Sequence, residues 1–134
     1  MEIVTFEIAK KLKGKSFPQK TAGRYSMIDC FYYEDGRLFF HGGACDVNEA
    51  YTAPTISQVL KWLREKHSIH VNIGINNDVI KYINGKVFGQ HPLWYYKLQN
   101  ALTGDVISCF NFSHHISYEK AAIAGIEYIL NNLI

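Results

Sequence analysis

Between Tyr51 and Ile75 the chain reads YTAPTISQVLKWLREKHSIHVNIGI, and this stretch constrains the fold more than any other. Thr55 and Gln58 have capping-box spacing, and Ile56, Val59, Leu60 and Leu63 recur at i, i+3, i+4 and i+7, which predicts a helix with one apolar face. Ile69, Val71, Ile73 and Ile75 then alternate with Ser68, His70, Asn72 and Gly74, the period-2 pattern of a half-buried strand. A helix that feeds directly into such a strand places Leu60, Leu63, Val71 and Ile73 in the core.

Weaker signals of the same kind surround it. Val4, Ile8 and Leu12 lie one helical turn apart beside lysines, Gly14 suits a helix C-terminus, and Phe17-Pro18 ends the helix. MIDCFYYEDGRLFFH reads as a hairpin with Asp35-Gly36 at its turn, and VIKYI and KVFGQ flank Asn84-Gly85 as a second. LWYYKLQN and DVISCFNF flank Thr103-Gly104 as two more strands. Ser117 caps a terminal helix with Glu119 in its first turn and Tyr118, Ala122, Ile126, Ile129 and Leu133 on one face. The expectation is a single α+β domain over residues 1–134, with an antiparallel sheet and about three helices packed mainly on one face. At 134 residues, 48% of them hydrophobic, such a core needs neither disulfides nor a structural metal.

Cys30, Cys45 and Cys109 are odd in number and lack ligand spacing, no basic leader precedes an apolar run, and no window reaches a membrane span. These features predict a soluble cytoplasmic chain without membrane contact.

Chemistry is sparse. Ala9–Ser16, AKKLKGKS, matches a loosened phosphate-loop pattern, but a phosphate loop opens a helix after a strand, whereas these residues close one. Among His41, His67, His70, His91, His114 and His115 only His41 stands near a cysteine, Cys45, and no second ligand pair accompanies them. Asp46 beside Cys45 would raise the thiol pKa. Residues 42–54 form an aperiodic loop, the natural place for an active site if there were one, yet no nucleophile, base and orienting group assemble there. The expectation is no catalytic residue, no metal and no cofactor.

Two surfaces suit binding. Lys10, Lys11, Lys13, Lys15, Lys20 and Arg24 form a basic cluster without an acid among them, which suits nucleic-acid phosphates or is the solvated face of a helix. The doublets around Phe31-Tyr32-Tyr33 and Trp94-Tyr95-Tyr96 turn one ring inward and one outward, so Tyr33 and Tyr95 are candidates to meet a protein partner, stack on bases, or be buried by self-association. The order from Thr55 onward is similar to that of a double-stranded-RNA-binding domain, although Lys120 alone supplies a cation near the last helix's start.

The segments VTFEIAKKLKGKSF, YTAPTISQVLKWLREKHSIHV and SYEKAAIAGIEYILNNLI together resemble small uncharacterised proteins of phages and prophages from Bacteroides-type gut bacteria. The resemblance implies a bacterial cytoplasmic setting and a mobile-element origin, and carries no activity or catalytic residue. The leading expectation is a non-enzymatic binding or accessory protein, self-associating or bound to another protein, with nucleic-acid binding as the alternative.

Overall fold

The structure, a computed structural model, describes residues 2–19, 30–40, 50–76 and 93–134. Its elements run α1 (Phe6–Gly14), β1 (Cys30–Tyr32), β2 (Leu38–Phe40), β3 (Tyr51–Thr52), α2 (Ile56–His67), β4 (Ile69–Asn76), β5 (Leu93–Asn100), β6 (Val106–His115) and α3 (Tyr118–Asn132). The α+β class holds. The strands form two antiparallel three-stranded sheets, ordered β2-β1-β3 and β4-β5-β6. Tyr51 and Thr52, expected in a loop, instead pair with Tyr32 and Phe31. The hairpin expected at Asn84-Gly85 lies outside the described residues.

Local chemistry sets the helix ends. The Thr55 hydroxyl accepts from the Gln58 N–H at 3.2 Å while the Gln58 side chain accepts from the Thr55 N–H at 2.9 Å, completing the capping box. Ser117 caps α3 by accepting from the Lys120 N–H. At the end of α1 the left-handed residue is Ser16, at φ 65°, and not Gly14, which is still helical. Ser16 N–H donates to the Lys13 carbonyl and Phe17 N–H to that of Leu12, a Schellman closure.

One cluster of buried side chains joins all three helices to both sheets. On β4 and β5 the cross-strand partners Val71 and Leu98 are buried on the face that receives α2 and α3. Gly125 lets α3 approach closely, because a methyl group there would stand 3.1 Å from Val71 Cγ1 and 3.3 Å from the Tyr96 ring. Leu63 and Val71 are core as expected, whereas Leu60 and Ile73 are only partly buried. Trp62 takes the inward position on α2, because the helix turns its stripe of Ile56, Val59, Trp62 and Leu63 inward. On α3, Tyr118 and Leu133 are exposed and the buried face instead includes Ala121, Gly125 and Leu130.

The chain start is sewn to the start of α2. Val4 N–H donates to the Pro54 carbonyl, Ile56 N–H to that of Glu2, and Ile3 forms an isolated antiparallel bridge with Thr55. The Tyr32 hydroxyl, from β1, donates to the Val4 carbonyl at 2.7 Å, and burial, followed by the nearby Cys30, pushes the pKa of this phenol up.

Candidate binding groove

Three of the four lysines between residues 10 and 15 are engaged by their own molecule, and Lys11 is half-buried on α1. Phe6 packs edge-on against Tyr51, at 5.8 Å, and tilted against Tyr32, at 5.5 Å, anchoring α1 on the first sheet. Lys10 sits 4.5 Å above the Phe6 ring and 3.2 Å from the Glu7 carboxylate. Lys13 lies over the Tyr51 ring at 4.9 Å and donates to the Ala50 carbonyl at 3.1 Å, while Lys15 donates to the Ile134 carbonyl. Each contact over a ring contributes about 0.5–1 kcal/mol at such partly exposed sites. Lys20 and Arg24 lie outside the described residues. The structure therefore gathers no phosphate cradle at AKKLKGKS: the N–H groups of Lys15, Ser16 and Phe17 all donate to carbonyls of α1.

The outward aromatics are also engaged. Tyr33 lies beneath the Arg37 guanidinium at 5.1 Å, and Arg37 is in turn held by Asp35, whose carboxylate accepts the Arg37 N–H and side chain and is thereby kept below its ordinary pKa. Tyr95 covers Gly74, its register partner on β4. Trp94 packs edge-on against Tyr118 at 5.9 Å. Tyr33, one residue past β1, and Tyr95, on β5, are both half-buried, each beside a different sheet.

What the fold does assemble is a groove of about 340 Å³ between the exit of α1, β3 and the outer side of α2. Its floor is Phe17, Pro18, Pro54 and Trp62, with the Phe17 and Trp62 rings edge-on at 5.2 Å. The Trp62 ring also packs edge-on against His67, at 4.6 Å. Thr52 and Gln58 form the walls, and Lys61, Glu65 and Lys66 the rim. Gln19 braces the wall: its side-chain oxygen accepts from the Thr52 N–H at 2.9 Å and its amide donates to the Phe17 carbonyl at 3.0 Å. Two stretches distant in sequence, residues 17–19 and 52–66, are thus locked together around an apolar floor with a charged edge.

No single segment announces this groove. Phe17-Pro18 reads as a helix stop, and Trp62 falls beside the apolar stripe that the spacing favours. The one available signal is an aromatic residue next to a proline, Phe17-Pro18, with a second proline, Pro54, just before the helix that carries Trp62.

A second, polar hollow of about 210 Å³ lies between the last turns of α2 and the β5–β6 turn, lined by Arg64, His70, Gln99, Asn100, Ala101 and Gly104. Its polar groups are largely used in building the turn. Asn100 accepts from the Leu102 and Thr103 N–H groups, and Gln99 donates to the Gly104 carbonyl.

Among the described residues no group of three or more His, Cys, Asp or Glu side chains is placed to share a metal ion, and no helix is long and apolar enough to cross a membrane. His41, Cys45 and most of the 42–54 loop lie outside the described residues. Comparison with protein families, with curated proteins and with solved structures yields no match.

Proposed function

We propose that this chain is a non-enzymatic binding protein and that the groove floored by Phe17 and Trp62 is its contact surface. The observation that carries this reading is the combination of a concave apolar floor with a hydrogen-bonded brace through Gln19, which ties Thr52 to Phe17. Its volume suits one or two anchoring side chains rather than the flat face of a folded partner. A short apolar or aromatic anchor, flanked by polar residues that meet Lys61, Glu65 and Lys66, is the chemistry that fits.

A displayed peptide library selected on the immobilised protein tests this directly. Selected peptides should shift the amide resonances of Thr52, Gln58, Lys61 and Trp62 and should lose affinity when Lys61 and Lys66 are both changed to Glu. Peptides that bind equally well to that variant, or that shift residues of β4–β6 instead, would sink the proposal.

Nucleic-acid binding is the second reading, favoured by the order α2–β4–β5–β6–α3 with both helices against one sheet. That order is the topology of double-stranded-RNA-binding domains, which is a likeness of architecture. The engagement of Lys10, Lys13 and Lys15 within the fold speaks for the groove over this alternative.

A further inference from the structure

The strand β6 carries features that the groove does not use. It is the outer strand of its sheet and ten residues long, and no described residue pairs with its second edge. Its sequence, VISCFNFSHH, contains no Asp, Glu, Lys or Arg, no proline and no glycine. Exposed edges in soluble proteins are ordinarily blunted by lysine or proline, or by twisting bulges, because unpaired N–H and C=O groups invite another strand. Among the described residues the register irregularities against β5 are the single such device.

Exposed apolar side chains flank both ends of the same strand. Eight large apolar side chains stand exposed among the described residues, and five of them, Leu102, Val106, Ile107, Ile116 and Tyr118, lie on β6 or within four residues of its ends. Val106 and Ile107, the first two residues of β6, are 55% and 40% exposed, where a solvated edge would carry charge.

We infer that β6 pairs with β6 of a second copy of this chain, antiparallel about a two-fold axis, joining two three-stranded sheets into one of six. Charge selects this occupant. A strand without formal charge meets no repulsion from its own copy, and it offers a different protein's strand nothing ionic by which to be recognised. Antiparallel pairing of a strand with itself is also self-complementary, so the contact closes at two chains and leaves no new edge to propagate along that side. This inference is independent of the groove, which lies across α2.

Sedimentation equilibrium of the full chain, run from micromolar to near-millimolar concentration, is the test, together with the single variants Val106→Lys and Ile107→Lys at exposed positions. The wild type should approach twice the 15.4 kDa chain mass, and both variants should stay at that chain mass with circular dichroism unchanged. In the wild type alone, β6 amides should exchange with solvent more slowly as concentration rises. A wild-type mass that stays at one chain throughout, a dimer that persists in both variants, or growth beyond two chains would overturn the inference. If the variants fail to fold, wild-type exchange decides: β6 protection that does not change with concentration overturns it equally.

Discussion

Gly74 and Tyr95 face each other across β4 and β5, and the tyrosine ring covers the glycine so closely that a methyl group on Gly74 would stand 2.7 Å from the ring's Cζ and hydroxyl oxygen. A glycine inside a strand has nothing of its own to pack, and the ring of its partner takes over that surface. The two residues should therefore be energetically coupled. Tyr95→Ala should cost up to about 1 kcal/mol in the wild type and clearly less in a Gly74→Ala background, where the ring has already been displaced. Urea unfolding of the four proteins of this cycle measures the coupling, and strict additivity would show that the ring does not depend on the glycine.

Gly125 sets two effects against each other. Alanine in its place gains roughly 1 kcal/mol of helix propensity, but its methyl group presses on Val71 at 3.1 Å and Tyr96 at 3.3 Å. Gly125→Ala should consequently stay within about 1 kcal/mol of the wild type, whereas Gly125→Leu should lose about 1–3 kcal/mol to overpacking. A leucine variant as stable as the parent would mean that α3 does not sit this close to the sheet.

Two serines occupy left-handed backbone, Ser16 at φ 65° and Ser68 at φ 55°. For a residue with a Cβ that conformation costs about 1–2 kcal/mol, more than the roughly 0.4–1 kcal/mol of extra chain entropy that a glycine must give up on folding. Ser16→Gly and Ser68→Gly should each raise the urea midpoint modestly. The opposite exchange applies at Gly14, where the helix is regular and open space surrounds the missing Cβ. Gly14→Ala should stabilise by up to about 1 kcal/mol, and a loss there would contradict the helical assignment.

High pH should weaken the fold through two phenols. Tyr32 is raised above 10.0 by burial and then by Cys30, and Tyr96 by burial and then by Tyr128 and Glu127. In each case the folded pKa exceeds the unfolded one. The contribution is complete below pH 10 and is lost as pH climbs through the folded value. Thermal melts should thus fall above pH 10 together with the rise of tyrosinate absorbance. In Tyr32→Phe that fall should be shallower, from a starting stability reduced by about 1 kcal/mol for the lost bond to Val4. An unchanged alkaline profile would remove Tyr32 from this role.

The elements legible in the sequence are those whose causes are local. Thr55 with Gln58, Ser117 with Glu119, and Thr103-Gly104 each act within a few residues, and each marks its boundary as expected. Choices that depend on a distant partner were not legible. Ile56, Val59 and Leu63 combine equally well with Leu60 or with Trp62 into an apolar stripe, and the choice falls to Phe17, which meets the Trp62 ring. Tyr51 and Thr52 are too short a strand to show any period, and only β1 makes them one. For the same reason the α1 lysines read as an open basic face, since the rings beneath them belong to α1 and β3 together. The groove is the extreme case, because its lining joins residues 17–18 to residues 52–66.

The seam between residues 2–4 and 54–56 has a kinetic side. Joining Val4 to Pro54 closes a loop of some fifty residues, at an entropic cost of roughly 3.5 kcal/mol beyond the fixed term. The backbone bonds of the seam return little of that before α2 has docked. Residues 2–4 should then join late on the folding pathway and leave early in unfolding, so that changes at this seam alter the unfolding rate more than the folding rate.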